Sequence, residues 1–296
     1  MKVTIVGGGG FLGRHISSFL RKKGISLNTF NSSDSQGIDR QTGLFRGSFR
    51  IPEGTETIIY LSTSPYHLQV PERVIHVFNV NVVSAVKLAD LARRAKVRRY
   101  IYTSTGSVYA PSFAPMSENW QLRRDNWYSL SKIHAEEALS LFKNDMEIIL
   151  LRPFGIYGPG QVNKLIPRLL DSILNGKEIY IESNSENPED KDGLRVSLCY
   201  IEDAVKMIFQ MMMKGGTGVL NLAGDRSVSI REAATLMGQY AGKACRFTLS
   251  EKERNFDLVA DITRLQQNLN PRFTSLQEGL QETVDHALKE KIFRQV

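Results

Sequence analysis

The amino-acid sequence predicts an α/β fold in which a doubly wound parallel sheet is joined to a smaller C-terminal lobe. Two observations lead to this class. At the N-terminus, a β-branched strand runs directly into a glycine cluster and then into a helix. After this helix, strand-like and helix-like segments alternate, which is typical of a parallel sheet with helices on both faces.

The strands of the predicted sheet are short apolar runs separated by helical or polar sequence. They are expected at Val3 to Val6, Ile25 to Phe30, Thr57 to Leu61, Arg99 to Thr103 and Ile148 to Leu151. Apolar residues recur at helical spacing between them, and the clearest helices are predicted after the glycine cluster, from Val82 to Arg94, and from about Tyr128 to Phe142.

The pattern changes beyond Arg152, where Gly158-Pro159-Gly160 breaks the chain. The later elements are, in order, a polar loop from Ser183 to Gly193, a helix from Asp203 to Met213, a strand from Gly218 to Leu222, and an amphipathic helix from Leu276 to Leu288. We therefore expect residues 1–160 to form the sheet domain, completed by about 195–225. Residues 161–194 and 226–296 should form the smaller lobe.

The composition narrows the class of protein. With 296 residues, of which 42% are hydrophobic and 23% charged, the chain can bury a large core. Its longest apolar runs, such as Met146 to Leu151, are shorter than the roughly 20 residues that cross a bilayer. Met1 and Lys2 lead into the first strand without a signal-peptide pattern, and two cysteines do not make a disulfide framework. We therefore expect a cytoplasmic protein without a membrane span.

The net charge of +7 favours anionic partners. Because the lysines and arginines are spread along the chain, they do not indicate a nucleic-acid-binding arm, and a pyrophosphate-bearing ligand would be attracted by the same field. No two of the five histidines stand four residues apart, and none accompanies a CxxC pair, so no metal site is expected.

The glycine cluster predicts a dinucleotide site. Gly8, Gly10 and Gly13 give the spacing GxGxxG, and Gly7 with the last two gives GxxGxxG. With either spacing, the backbone turns sharply and approaches a pyrophosphate. The charge of the pyrophosphate is then met by the amides at the start of the helix, around Phe11-Leu12.

The residue after the second strand bears on which dinucleotide binds. An acidic side chain there holds the adenosine ribose hydroxyls in NAD-binding loops, but this chain has Asn31 followed by Ser32. An amide does not repel a 2′-phosphate, and Arg14 lies in the phosphate loop, so NADP is favoured over NAD. Asp34 is near enough in sequence to replace the missing acid, which keeps NAD open.

Tyr128 and Lys132 are four residues apart on a predicted helix, so they share one face. A nearby cation favours the phenolate and brings the pKa of a tyrosine down from about 10 toward neutrality. The strand that precedes this helix ends in hydroxyl residues, at the edge where parallel sheets bind ligands. Thr105 is therefore expected to hydrogen-bond the reacting oxygen of a substrate while Tyr128 transfers a proton.

Taken together, these motifs resemble the extended short-chain dehydrogenase/reductase family, in its NAD-dependent epimerase/dehydratase group, whose members modify sugar nucleotides on a Rossmann fold. The resemblance covers nearly the whole chain. The matching segments are the glycine loop, Asn81, Thr103-Ser104-Thr105 with Val108-Tyr109, Tyr128 with Lys132, Leu151 to Gly160, Ile201-Glu202-Asp203 and Thr274 to Leu280.

The resemblance implies a role for each residue at a matching position. Tyr128 would be the general acid/base, Lys132 would lower its pKa and hold the nicotinamide ribose, and Thr105 would orient the substrate oxygen. The cofactor would also contact Gly7, Gly10, Phe11, Leu12, Gly13, Asn31, Ser32, Asn81, Ser104, Pro153 and Ile156. The substrate-binding positions would be Thr105, Gly155, Asn163, Lys164 and Arg195, the last of these meeting the nucleotide diphosphate.

Three departures from the family pattern concern the substrate. Gly155 stands where the family usually has asparagine, which removes one polar contact to the sugar. The spacing from Arg195 to Asp203 differs slightly from the pattern. Thr105-Gly106-Ser107 replaces the Thr-Asp-Glu element of the dehydratases, whose acids assist water elimination, so dehydration is disfavoured.

The sequence therefore predicts an NAD(P)-dependent sugar-nucleotide epimerase or keto-sugar reductase. The alternative is a Rossmann protein that senses a dinucleotide, or associates with RNA, without catalysis. The resemblance also suggests a homodimer packed through the predicted helices at 82–94 and 128–142.

Overall fold

The structure is a computed structural model that describes residues 1–293. The chain divides into two compact units. The first, called here the sheet unit, comprises residues 1–110, 120–153 and 205–220. The second, called the lobe unit, comprises residues 111–119, 154–204 and the chain from 221 onwards. The segment 111–119 thus belongs to the lobe unit, although it lies in the first half of the sequence.

Helices and strands alternate through the first half of the chain. In order, they are β1 (Lys2–Val6), α1 (Phe11–Lys22), β2 (Ser26–Phe30), β3 (Thr57–Tyr60), α2 (Val74–Phe78), α3 (Ala85–Arg94), β4 (Arg99–Thr103), α4 (Trp127–Ser140) and β5 (Glu147–Pro153). The second half contains β6 (Ile156–Tyr157), α5 (Leu165–Leu174), β7 (Glu178–Asn184), β8 (Arg195–Ser197), β9 (Cys199–Tyr200), α6 (Ile201–Lys214), β10 (Gly218–Leu222), β11 (Ser227–Ser229), α7 (Ile230–Ala241), β12 (Arg246–Arg254), α8 (Thr263–Leu269) and α9 (Leu276–Phe293).

The sheet unit is built on a six-stranded sheet with the order β10-β5-β4-β3-β1-β2. The pairs β1-β2, β1-β3, β3-β4 and β4-β5 are parallel. β3 and β4 are buried along their whole length because they lie in the middle of the sheet, whereas the edge strand β2 is partly exposed. The doubly wound parallel fold predicted from the sequence is confirmed, and the carboxyl ends of β1, β3 and β4 meet at one edge.

α2 and α3 are joined by a π-helical turn, Asn79–Ser84, into one helical stretch from Val74 to Arg94. By length and composition alone, this stretch is long and apolar enough to cross a membrane, since an 18-residue window within it has a mean hydropathy of 1.4, which corrects the expectation that every apolar run is too short. The expectation was based on consecutive apolar residues, whereas the mean hydropathy of a helix also includes its polar residues. Its apolar face packs in the core of the sheet unit, where Val80, Leu88 and Ala92 are buried.

The lobe unit contains three two-stranded sheets, which pair β6 with β9, β7 with β12, and β8 with β11. α7 packs against α5 and α9. Leu280 and Val284 on α9 are fully buried, which confirms the predicted amphipathic helix. At the end of β12, the buried side chain of Arg254 forms ion pairs with Asp190 at 2.6 Å and Asp257 at 3.0 Å. These ion pairs fix the polar loop that follows β7.

Candidate active site

The glycine loop joins β1 to α1 through a turn that requires glycine at two positions. Gly7 has a φ of +91°, in the left-handed region that favours glycine. A Cβ added to Gly13 would lie 2.4 Å from the carbonyl oxygen of Gly7, so the loop and α1 pack too closely for a side chain. A Cβ at Gly10, which caps α1, would meet nothing closer than 3.4 Å. Packing therefore requires Gly7 and Gly13, and close approach of a ligand is the remaining reason for Gly10.

Asn31 follows β2 and folds back onto this loop. Its Oδ1 accepts a hydrogen bond from the Gly9 N–H at 2.5 Å. Its own N–H donates to Oδ2 of Asp34 at 2.6 Å. The Asp34 carboxylate, which the sequence suggested as a substitute for the acid that binds the adenosine ribose, is thus hydrogen-bonded within the turn after β2.

Arginines surround the next residue, Ser32. Arg40 donates from Nε to the Ser32 Oγ at 3.0 Å. Arg46 donates to the carbonyl oxygens of Ser32 at 3.3 Å and Asp34 at 2.7 Å, and it pairs with Asp39 at 3.1 Å. This arrangement could not be predicted from the sequence, because Arg40 and Arg46 lie ten and sixteen residues beyond the end of β2, in a loop that folds back beside it.

Tyr128 lies in the first turn of α4, which Asn126 caps by accepting the Ser129 N–H at 3.1 Å. The Tyr128 hydroxyl faces the side chains of Thr63 and Thr105, whose hydroxyls lower the pKa of the phenol by hydrogen bonding. Thr63 follows β3 and Thr105 follows the neighbouring strand β4. The structure thus brings two of the predicted catalytic residues together and adds Thr63, which the sequence reading missed.

The pKa of Tyr128 is raised above its ordinary value because burial disfavours the phenolate, and the hydrogen bonds from Thr63 and Thr105 offset only part of this effect. This direction is opposite to the lowering that the sequence predicted from Lys132. The Lys132 ammonium donates to the carbonyl oxygen of Thr103 at 2.9 Å and lies 4.8 Å from the centre of the Tyr102 ring.

Lys132 is almost completely buried, with 2% of its surface exposed. Burial lowers its pKa to about 7, against an opposing effect of the Glu136 carboxylate one helical turn further on. Glu136 is itself buried and forms an ion pair with the buried Arg152 at 2.5 Å. The charge on Lys132 therefore changes near neutral pH, where a proton-transfer site operates.

Asn81 is fully buried in the π-helical turn and connects the strand ends to α4. Its Nδ2 donates to the Ser131 Oγ at 2.9 Å, and that hydroxyl donates to the carbonyl oxygen of Tyr128 at 2.7 Å. Its Oδ1 accepts at 3.4 Å from both the Thr63 hydroxyl and the Ser64 N–H. Asn81, which the sequence predicts as a cofactor contact, therefore links the segment after β3 to the start of α4.

Two further predicted cofactor positions lie at the ends of neighbouring strands. Ser104 follows β4, and Pro153 is the last residue of β5. The Ser104 hydroxyl is buried and has no hydrogen-bond partner among the described residues. A buried hydroxyl of this kind is normally satisfied, and the ribose or carboxamide of a nicotinamide nucleotide would supply both a donor and an acceptor. The residues present therefore fit a nicotinamide dinucleotide.

The remaining predicted substrate and cofactor positions belong to the lobe unit. Gly155 has a φ of +40°, and an added Cβ would lie 2.8 Å from the Val196 side chain, so the asparagine that relatives carry does not fit. Ile156 begins β6, Asn163 is exposed with a φ of +57°, and Lys164 caps α5. Arg195 begins β8, where its N–H donates to Asp257 at 2.8 Å and its guanidinium lies 3.7 Å from Asp192.

His67 is a second residue that the sequence reading did not connect with the site. Its ring centre lies 5.2 Å from that of Tyr128, and its Nδ1 donates to the carbonyl oxygen of Ser64 at 3.2 Å. Scattered single histidines carry no spacing signal. Only the turn between β3 and α2 brings this one to the tyrosine.

The parallel sheet, the glycine loop, the half-buried Tyr128 and the buried Lys132 define a dinucleotide-dependent enzyme of the Rossmann class. The sequence model of the NAD dependent epimerase/dehydratase family matches residues 3–223. The chain therefore belongs to this family, and its relatives include sugar-nucleotide epimerases, dehydratases and reductases of the extended short-chain dehydrogenase type, together with sterol-4-alpha-carboxylate 3-dehydrogenases.

Two curated relatives are similar over nearly the whole chain. One is a protein of Bacillus subtilis (strain 168) named as an uncharacterized UDP-glucose epimerase, 24% identical over 311 aligned residues that cover 95% of this chain and 96% of that protein. The other is the dTDP-4-dehydro-6-deoxy-D-allose reductase of Streptomyces bikiniensis, 23% identical over 95% of this chain and 94% of that enzyme.

The fold is also that of a solved structure, UDP-glucuronic acid 4-epimerase from Bacillus cereus in complex with UDP-glucuronic acid and NAD. The TM-score is 0.79 at 20% sequence identity, and the match covers 98% of this chain and all of that one. The Rossmann fold predicted from the sequence is thus confirmed.

Proposed function

We propose that this chain is an NADP-dependent reductase of nucleotide-linked keto sugars in which Tyr128 donates the proton. The observation that carries the proposal is the pair of hydrogen bonds from the Tyr128 hydroxyl to the side chains of Thr63 and Thr105. These threonines follow adjacent parallel strands, at the sheet edge where ligands of such folds bind.

Tyr128 performs the proton transfer. When bound, the nicotinamide supplies the hydride that reduces the carbonyl carbon of the sugar. Tyr128 donates its hydroxyl proton to the carbonyl oxygen as negative charge develops there. Thr105 hydrogen-bonds the same oxygen, Thr63 keeps a hydrogen bond to the resulting phenolate, and the phenolate regains a proton from solvent. Each turnover consumes a hydride equivalent and a proton and releases an alcohol.

Lys132 stabilises the phenolate by its charge. Its pKa of about 7 reflects burial of the ammonium, and a phenolate forming on the same helix face favours the protonated amine. The two groups then titrate as a pair. Deprotonation of Tyr128 is easiest while Lys132 holds its proton, so the lysine assists the step in which Tyr128 gives its proton away.

The preference for NADP rests on the charges that follow β2. Asn31 does not repel a phosphate as a carboxylate would, and the Asp34 carboxylate is engaged with the Asn31 N–H. The Arg40 guanidinium lies beside Ser32, and within the described part of the chain the neighbouring Asp39 is paired with Arg46 instead. A guanidinium matches a phosphate in both charge and geometry. We therefore assign the adenosine 2′-phosphate to Ser32 and Arg40.

The substrate class rests on the family and on the relatives, which are named for UDP-glucose and for a dTDP-linked keto sugar. In the lobe unit, Arg195 and Lys164 supply cations for a nucleotide diphosphate. The Arg195 guanidinium is only loosely paired with Asp192, at 3.7 Å, so an anionic ligand competes readily for it. Gly155 offers no side chain to the sugar.

An epimerase is the second candidate, because one relative and the solved neighbour bear that name. Epimerisation returns the hydride to the same sugar and needs a retained cofactor, whereas the proposed 2′-phosphate site suits a cofactor that exchanges with a cellular NADPH pool. Dehydration is disfavoured because Gly106 and Ser107 stand where the dehydratase element carries acids.

The experiment is a screen of UDP-, GDP-, CDP- and dTDP-linked sugars, including 4-keto forms, by mass spectrometry with NADPH present. The proposal expects one keto sugar to be reduced with stoichiometric oxidation of NADPH. Interconversion of two isomeric sugars without net NADPH oxidation would contradict the reductase assignment and establish the epimerase. An inactive Tyr128→Phe variant serves as the control.

We also propose a homodimer formed through α2–α3 and α4. Ile75, Val83 and Trp127 are large apolar side chains on these helices with 71%, 47% and 46% of their surfaces exposed, and the Phe78 ring packs edge-on against Trp127. A second copy would cover this patch. Sedimentation velocity should give a dimer, and Ile75→Lys with Trp127→Glu should give a folded monomer. A monomeric wild-type protein would contradict the proposal.

A further inference from the structure

The loop that carries Arg40 is fastened to the helical stretch beside it by three side chains. Asn79 donates from Nδ2 to the Thr42 carbonyl oxygen at 2.7 Å. Ser84 donates from Oγ to the carbonyl oxygen of Gly43 at 2.9 Å. The third side chain is His76, whose Nε2 lies 3.1 Å from the carbonyl oxygen of Arg40 itself. Of the three contacts, the one from His76 is made to the arginine directly.

His76 is buried, with 7% of its surface exposed, and both of its ring nitrogens are engaged. A carbonyl oxygen can only accept, so Nε2 carries the hydrogen and donates to Arg40. Nδ1 then accepts from the hydroxyl of Ser64 at 2.9 Å, and the same hydroxyl accepts the Tyr66 N–H at 3.1 Å. The Tyr66 ring packs edge-on against the imidazole at 4.8 Å. These contacts hold the ring in one orientation and one tautomer.

The two residues that His76 joins belong to opposite ends of the dinucleotide site. Ser64 follows β3 directly after Thr63, which hydrogen-bonds the Tyr128 hydroxyl. Arg40 hydrogen-bonds Ser32, after β2, at the adenosine end. The imidazole thus ties the loop bearing Arg40 to the segment that follows the central strand β3 and that Asn81 also contacts, so the Arg40 backbone is held by more than its own loop.

We propose that His76 is a positioning residue for cofactor choice: it holds Arg40 beside Ser32, where the guanidinium meets the adenosine 2′-phosphate. The inference rests on the proposed use of NADP. His76 itself touches no part of the cofactor. Its loss should leave the glycine loop intact, because Gly7, Gly10 and Gly13 are held by their own backbone contacts, and it should weaken the hold on the 2′-phosphate alone.

The test is fluorescence titration of the full-length protein with NADPH and NADH, and the readout is the ratio of the two dissociation constants. Two substitutions of His76 distinguish the contact made by Nε2 from the contact made by Nδ1. A glutamine amide reaches about as far as Nε2 and can still donate to the Arg40 carbonyl oxygen, whereas an asparagine amide reaches only as far as Nδ1. His76→Asn should therefore weaken NADPH binding about fivefold relative to NADH, and His76→Gln should restore most of the ratio.

Arg40→Gln provides the reference, since losing the guanidinium should weaken NADPH about tenfold and NADH little. If His76 acts through Arg40, the double variant R40Q/H76N should be no weaker toward NADPH than R40Q alone. Asn79→Ala is the matched control, because it removes a hydrogen bond to the same loop at Thr42 and should leave the ratio unchanged. Thermal unfolding of each variant identifies any loss of the fold.

Several outcomes would overturn the inference. Equal weakening of NADPH and NADH in H76N would show that the imidazole only stabilises the fold, and an unchanged ratio would show no role at all. If H76N does not fold, the H76Q variant provides the test. A preference for NADPH over NADH in H76Q as weak as that in R40Q would contradict the proposal. A wild-type protein that binds both cofactors equally, or prefers NADH, would refute the proposed NADP preference first and this inference with it.

Discussion

The ammonium of Lys132 lies 2.9 Å from the carbonyl oxygen of Thr103, at the end of a strand buried along its whole length. This hydrogen bond gives the buried ammonium one acceptor, but it does not compensate for the loss of hydration that burial causes. The pKa of Lys132 is consequently lowered to about 7 from an ordinary value of 10.5. The protonation of Lys132 is thereby coupled to the stability of the fold.

The first prediction concerns stability and pH. Between about pH 7 and pH 10, the unfolded chain keeps the proton on this lysine while the folded protein releases it, so raising the pH stabilises the folded state. The destabilising effect of the buried charge is complete below pH 7 and fades above it. Compared with Lys132→Met, the wild-type free energy of unfolding should rise by roughly 2 kcal/mol between about pH 7 and pH 9 in urea titrations. Parallel pH profiles for the two proteins would contradict the lowered pKa.

The second prediction concerns Thr63. Its hydrogen bond to Tyr128 lowers the pKa of the phenol, so Thr63→Val should raise that pKa and shift the basic limb of the kcat/KM profile to higher pH. Activity near neutral pH should fall about fivefold, as expected for one lost hydrogen bond. Thr63→Ser keeps the hydroxyl and is the control. A valine variant whose pH profile coincides with that of wild type would remove Thr63 from the site.

The third prediction concerns the buried ion pair behind the site. Glu136 and Arg152 are 5% and 4% exposed, and Glu136→Gln leaves the guanidinium without its carboxylate. The free energy of unfolding should fall by about 3–5 kcal/mol. Adding Arg152→Met should recover a large part of this loss, because no unpaired charge then remains in the core. If the single variant lost less than about 1 kcal/mol, the pair would be more exposed to water than the structure indicates.

The fourth prediction separates two glycines of one loop. Gly13→Ala forces a Cβ against the Gly7 carbonyl oxygen, so this variant should lose stability even without ligand. Gly10→Ala has the space for its methyl group and should unfold at nearly the wild-type temperature, yet it should bind NADPH at least tenfold more weakly because the pyrophosphate can no longer approach. Calorimetry and cofactor titration of both variants check this pairing. Unimpaired binding by the Gly10 variant would contradict the assigned pyrophosphate position.

The sheet and its helices were accessible from the sequence because their apolar patterns are local. β4 and β10 begin and end at the predicted residues, and β1, β2 and β3 differ from prediction by one residue at an end. The strand pair β7-β12 was missed. Its paired residues are 68 to 70 positions apart in the sequence, and no local pattern encodes such a pairing.

The same distinction holds for the candidate site. Thr105, Tyr128 and Lys132 could be predicted as site residues because a strand end and a helix register are local features of the sequence, and the structure brings Thr105 to the Tyr128 hydroxyl. Thr63, His67 and Arg40 lie in loops after β2 and β3, and His76 lies on the short helix α2, so their proximity to the site depends on how those loops fold back. The raised pKa of Tyr128 was also out of reach, because burial is a property of the packed structure and the i, i+4 spacing to Lys132 suggested the opposite sign.

The central claim is that Tyr128 and NADPH reduce a nucleotide-linked keto sugar. The most direct measurement uses NADPH carrying deuterium at the transferred position, with the keto sugar identified in the screen, and determines the mass of the released product. We predict that the released sugar nucleotide gains one deuterium and that no sugar nucleotide carries two. Tyr128→Phe should slow the transfer about a thousandfold while still binding NADPH. A product without the label, or equal transfer by the phenylalanine variant, would contradict the account.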